Sequence, residues 1–61
     1  MIGILIADDH EIVRRGLRLT IEAEPDLKLL GEARTGREAL DLVKTLKPQV
    51  VVLDIQMPKA T

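Results

Sequence analysis

The chain has 61 residues, a formal net charge of -1, no cysteine and no aromatic residue, and 46% of it is hydrophobic. That length holds one small domain, excludes disulfides and thiolate metal sites, and restricts the core to Ile, Leu, Val, Ala and Met. The hydrophobic content favours folding over disorder, and the balanced charge leaves no nucleic-acid footprint.

Residues 2–7, IGILIA, are a short and almost unbroken apolar run, the pattern of a strand buried on both faces of a parallel sheet. The run is too short to span a membrane, lacks a basic leader and is followed at once by acids. The expectation is a soluble, cytoplasmic chain. Asp8 and Asp9 end the strand, and residues 10–24 read as a helix. Ile12, Val13, Leu17, Thr20, Ile21 and Glu24 follow the spacing of one helix face, with Arg14, Arg15, Arg18 and Glu22 on the other. Gly16 is a weak point there, costing up to about 1 kcal/mol relative to Ala; close backbone packing would explain it.

Pro25 stops the helix. Residues 27–33, LKLLGEA, alternate as a second strand with Leu27, Leu29, Gly31 and Ala33 on one face. Thr35 followed by Glu38 is a capping-box pattern, and residues 37–46 carry Ala39, Leu40, Val43 and Leu46 at helical spacing. Lys44 and Lys47 suit the negative end of that helix, and Pro48 closes it. Residues 50–54, VVVLD, are β-branched, apolar and short, and form the third predicted strand. IQMPKAT follows as a loop. The order β-α-β-α-β predicts an α/β fold with a parallel sheet and right-handed crossovers.

Asp8, Asp9 and Asp54 each stand at the C-terminal end of a predicted strand, the edge where open parallel sheets bind ligands. If strands one and three are neighbours, the carboxylates converge and require a cation. Mg²⁺ is the natural choice, since it takes a few carboxylates together with water and phosphate oxygens. A carboxylate beside such a cation can also attack a phosphoryl group and become an aspartyl-phosphate. The plain alternatives are that Asp9 caps the first helix and that Asp8 and Asp54 are solvated strand-end residues. Those alternatives suit any one aspartate; three at matched strand ends favour the site. His10, adjacent to the pair, could be a ligand or base, but it reads as an exposed first-turn residue and is left out of the chemistry. Met57-Pro58 reads as a turn, Lys59 as a solvated charge, and Arg14, Arg15 and Arg18 as a solvated helix face.

ILIADDHEIVRRGL, GEARTGREAL and PQVVVLDIQMP together closely resemble response-regulator receiver domains of bacterial two-component systems, in particular the NarL/FixJ (LuxR-type) group. The resemblance implies half of a flavodoxin-like, doubly wound parallel sheet with strand order 2-1-3 and one helix on each face. It makes Asp54 the phospho-acceptor and assigns Mg²⁺ to Asp8, Asp9 (the more direct ligand), Asp54 and the backbone carbonyl of Gln56. Met57-Pro58 would shape the pocket, and a sensor histidine kinase would be the partner.

It also implies that residues 1–61 are a truncated receiver without a DNA-binding domain, and hence without nucleic-acid contact. The family has five strands and five helices, with a switch Ser or Thr after strand four and a Lys after strand five; Thr61 and Lys59 do not stand in for them. The expected function is the phospho-accepting portion of a transcriptional regulator, with acceptance impaired in this length of chain. The alternative is a fragment that self-associates, most simply as a dimer, through the edge of its third strand or its apolar faces. A phosphohydrolase with an Asp nucleophile would place a second Asp two residues on, where Gln56 stands, so the chain is not expected to be an enzyme.

Overall fold

The computed structural model describes residues 1–54. Five elements follow one another: β1 (Ile2–Asp8), α1 (Glu11–Glu22), β2 (Leu27–Ala33), α2 (Gly36–Leu46) and β3 (Val50–Asp54). The three strands form one parallel sheet in the order β2-β1-β3, as expected. Central β1 is apolar on both faces because it is covered on both. Ile4 and Ile6 face α1 and pack with Ile21, Leu17, Leu27, Leu29 and Val52. Leu5 and Ala7 face α2 and pack with Ala33, Ala39, Leu42, Val43 and Leu46.

The faces of β2 depart from simple alternation. Ile4 is opposite Leu29 but Leu5 is opposite Gly31, so Leu30 is an extra residue in the ladder. One extra residue reverses every later side chain. Leu27 and Leu29 therefore lie on the α1 side, whereas Gly31 and Ala33 lie on the α2 side with Leu5, Leu42 and Leu46. The predicted single face of Leu27, Leu29, Gly31 and Ala33 is thus split in two. The same reversal sends Glu32 toward α1, where its Oε2 accepts from Arg18 Nη1 at 3.1 Å.

The inner line of α1 is narrower than its spacing suggested. Ile21 is buried and Leu17 half-buried, but Ile12 is 84% exposed and Val13 is exposed as well. Arg14 and Arg18, expected on the solvated side, are half-buried at the flank of the packed face. Nothing lies within 4 Å of a Cβ built at Gly16, so no close packing accounts for that glycine among the described residues.

Helix α2 begins at Thr35 as read from the sequence. Thr35 Oγ1 accepts from the Glu38 N–H at 3.1 Å, while Glu38 Oε1 accepts from the Arg34 N–H at 2.7 Å. The carboxylate thus reaches one residue further back than in the usual box. Lys47 closes α2 in the left-handed region at φ 50, giving its N–H to the Val43 carbonyl. Gln49 then ties the start of β3 to β1 with its N–H to Gly3 O and its Oε1 to the Gly3 N–H.

Candidate functional site

The turn from β1 into α1 takes only two residues, Asp9 and His10. Asp8 is the last residue of β1 and alternates with Ile4 and Ile6; it has no exposed surface. Its Oδ1 accepts the His10 N–H at 2.8 Å and lies 3.2 Å from His10 Nδ1. Its Oδ2 is buried and has no hydrogen-bond partner among the described residues. Asp9 is partly exposed, and its Oδ1 lies 2.9 Å from the same His10 Nδ1. The residue that caps α1 is His10, in an extended conformation and without a side-chain cap bond. Asp9 is therefore not the helix cap; it is left to face the imidazole.

His10 is exposed, as expected, yet its imidazole contacts both carboxylates, the alternative that the sequence reading set aside. One signal could have found it. A residue that follows two acids within a tight strand-to-helix turn has little room to point elsewhere. One ligand atom from each of Asp8, Asp9 and His10 lies within 4.8 Å of the others. Two carboxylates and an imidazole make a donor set for a divalent cation, and the orphaned Asp8 oxygen is what such an ion would satisfy. A buried acceptor left unpaired costs roughly 1–3 kcal/mol, and more when charged.

Asp54 ends β3, and its backbone is opposite Asp8 in the parallel register, in strands about 4.8 Å apart. The two strand-end aspartates are thus brought to one edge by the sheet itself. Gln56, Met57, Pro58, Lys59 and Thr61 lie outside the described residues.

Two other concavities occur. A groove of 720 Å³ between α2 and β3 is lined largely by Ala39, Leu40, Val43, Val51 and Leu53, with Arg37, Asp41 and Lys44 among its polar residues. It brings together no reactive pair and is a packing surface. A small polar recess is formed by Glu11, Arg14, Arg15, Arg18 and Glu32. Among the described residues no helix is long and apolar enough to cross a membrane.

Known proteins with the same features are numerous. The family model of the response regulator receiver domain matches residues 4–61. The chain is 46% identical over 57 residues to the transcriptional regulatory protein LiaR of Bacillus subtilis, covering 93% of this chain and 27% of that protein. It is equally 46% identical over 55 residues to a protein-glutamate methylesterase/protein-glutamine glutaminase of Pseudoalteromonas atlantica, covering 90% of this chain and 14% of that one. The crystal structure of the response regulator domain of Thermotoga maritima CheB superposes with a TM-score of 0.90 at 39% identity, covering 97% of this chain and 44% of that domain chain. The chain therefore spans about a quarter or less of these full-length relatives and under half of the solved domain. Sheet order, the aspartate pair after β1 and the family match agree, and the chain belongs to the response regulator receiver domain family.

Proposed function

We propose that this chain is the phospho-accepting receiver portion of a transcriptional regulator of the NarL/FixJ group, with Asp54 taking its phosphoryl group from a sensor histidine kinase. The observation that carries the reading is Asp8, a carboxylate without exposed surface whose Oδ2 has no partner among the described residues, at the sheet edge where Asp54 ends the neighbouring strand. Such an oxygen, next to Asp9, fits a hard cation that prefers oxygen ligands. Asp8, Asp9, Asp54 and the Gln56 backbone carbonyl are the donors assigned to Mg²⁺. When bound, Mg²⁺ would offset the charge of the carboxylates and of an incoming phosphoryl group.

The chain's own part is nucleophilic. A carboxylate oxygen of Asp54 attacks phosphorus, the bond to the donor breaks, and its electron pair leaves with the donor. Asp8 is held for its part by the His10 N–H on Oδ1, which leaves its buried second oxygen free of any partner among the described residues. The reading is of a signalling domain rather than an enzyme. It includes slowed acceptance in these 61 residues by themselves, since the family's switch hydroxyl and its lysine are not among them.

The test is intact mass after incubation with Mg²⁺ and acetyl phosphate. The expected result is one phosphoryl adduct on the parent chain and none on Asp54→Asn. No adduct on a parent chain shown to be folded by circular dichroism overturns the reading.

A second reading is favoured by a separate observation. Strand β3 pairs with β1 alone among the described residues, and Val50, Val51 and Leu53 are exposed. An open, β-branched edge invites pairing with another copy of the chain.

A further inference from the structure

His10 lies outside the set of oxygen donors assigned to Mg²⁺ in the reading above, yet its imidazole contacts both carboxylates. Its Nδ1 is 2.9 Å from Asp9 Oδ1 and 3.2 Å from Asp8 Oδ1. Two ligands at right angles on an ion with bonds of about 2.1 Å are about 3.0 Å apart. The imidazole nitrogen thus already stands from each carboxylate at the spacing of neighbouring ligands on one first-row divalent ion. The side chain of His10 is 56% exposed, so a bound ion keeps open positions for water. The three residues are consecutive, so gathering them closes no long loop.

Beside these contacts, the second oxygen of Asp8, Oδ2, is buried and has no hydrogen-bond partner among the described residues. Hydrogen bonding explains Nδ1 and the two Oδ1 atoms, but leaves that oxygen unsatisfied. A cation held between the imidazole and the carboxylates satisfies all of them.

The geometry points to His10 as a nitrogen ligand that makes this site selective for borderline divalent ions of the nickel, zinc and cobalt class over Mg²⁺. Imidazole suits these ions, whereas Mg²⁺ keeps to oxygen. The inference rests on the reading that Asp8 and Asp9 hold a divalent cation, and it adds a residue and a metal class to that reading.

The experiment uses the untagged chain and the metal salts alone. Calorimetric titrations with Ni²⁺ and with Mg²⁺ compare the parent with His10→Ala and His10→Gln. The expected result is that Ni²⁺ affinity falls on the order of tenfold or more in both variants, at least what loss of a supporting outer contact costs, while Mg²⁺ affinity is unchanged. Retained Mg²⁺ binding also certifies that the variants are folded. Because the chain has a single histidine, nitrogen NMR gives a direct second readout. Zn²⁺ should move the Nδ1 resonance much more than Nε2, and Mg²⁺ should move neither.

A parent that binds Mg²⁺ but whose ratio of Ni²⁺ to Mg²⁺ affinity is the same in both variants overturns the role of His10 and leaves the acidic site standing. Nickel binding that depends on His10 in a chain that ignores Mg²⁺ supports the nitrogen ligand and removes the magnesium reading. No binding of either ion removes both.

Discussion

Asp8 occupies a position that an apolar residue would fill at lower cost, one step beyond Ile4 and Ile6 on the same strand face and equally buried. Its Oδ1 is held by the His10 N–H, and its Oδ2 by no group among the described residues. A charge buried without full compensation destabilises the fold, and a neutral group of the same shape relieves that cost. Asp8→Asn is therefore expected to unfold at higher temperature than the parent in EDTA, by on the order of 1 kcal/mol in stability. Saturating Mg²⁺ should reverse the order, because an ion at about a hundred times its Kd adds about 2.7 kcal/mol to the parent and little to the variant. Thermal unfolding with and without Mg²⁺ decides it; a variant that is less stable in both conditions contradicts the argument. At this scale the sequence exposed the aspartates, because acids directly after apolar runs mark strand ends. It left His10 between a ligand and a surface residue, because contact with both carboxylates depends on the angle at which the chain turns from β1 into α1. Nor did it exclude Asp9 as the cap, since Asp and His both fit the first extended position before the helix.

At the scale of the element, all five segments were legible, because apolar runs mark β1 and β3, apolar spacing marks the other three, and Asp8, Pro25, Thr35 and Pro48 punctuate their ends. The helix ends differ from expectation by a residue or two, as fraying ends do. The face of β2 was not legible, because a bulge leaves the apolar count of LKLLGEA unchanged and alters only which side each residue takes. Gly31 is the residue that this register makes necessary. A Cβ there would stand 2.9 Å from Leu46 Cδ1 and 3.5 Å from Leu5 Cδ1. Gly31→Val overpacks the α2 side and should lower stability by about 1–3 kcal/mol in urea unfolding. Gly16 is the opposite case. It lies mid-helix with open space around it, so Gly16→Ala should raise stability by roughly 0.5–1 kcal/mol in the same measurement. A loss of stability in Gly16→Ala would mean that a further segment or molecule closes on that face of α1.

The whole molecule is a sheet with one helix on each face, and a single helix covers three strands incompletely. Among the described residues, exposed apolar side chains beyond the chain start at Met1 and Ile2 gather in two places: the outer line of α1, with Ile12 and Leu19, and the side of β3 away from β1, with Val51 and Leu53 beside the groove against α2. The second place combines apolar side chains with unpaired backbone groups among the described residues, and backbone pairing gives association a direction that a bare apolar stripe lacks. Two copies related by a two-fold axis can pair their third strands antiparallel and bring both grooves toward the same seam. The chain is therefore expected to sediment as a dimer at micromolar concentration. Leu53 is 64% exposed and sits on that seam, so Leu53→Lys removes a burial worth about 1.5–3 kcal/mol per copy. At about 1.4 kcal/mol per tenfold in affinity, the dimer should weaken by at least tenfold. Ile12→Lys is the matched control on the far face of the sheet, and it should leave the dimer intact. If Ile12→Lys dissociates the dimer and Leu53→Lys does not, the interface is the outer line of α1 and β3 stays unpaired. A parent chain that remains monomeric at millimolar concentration removes the association altogether.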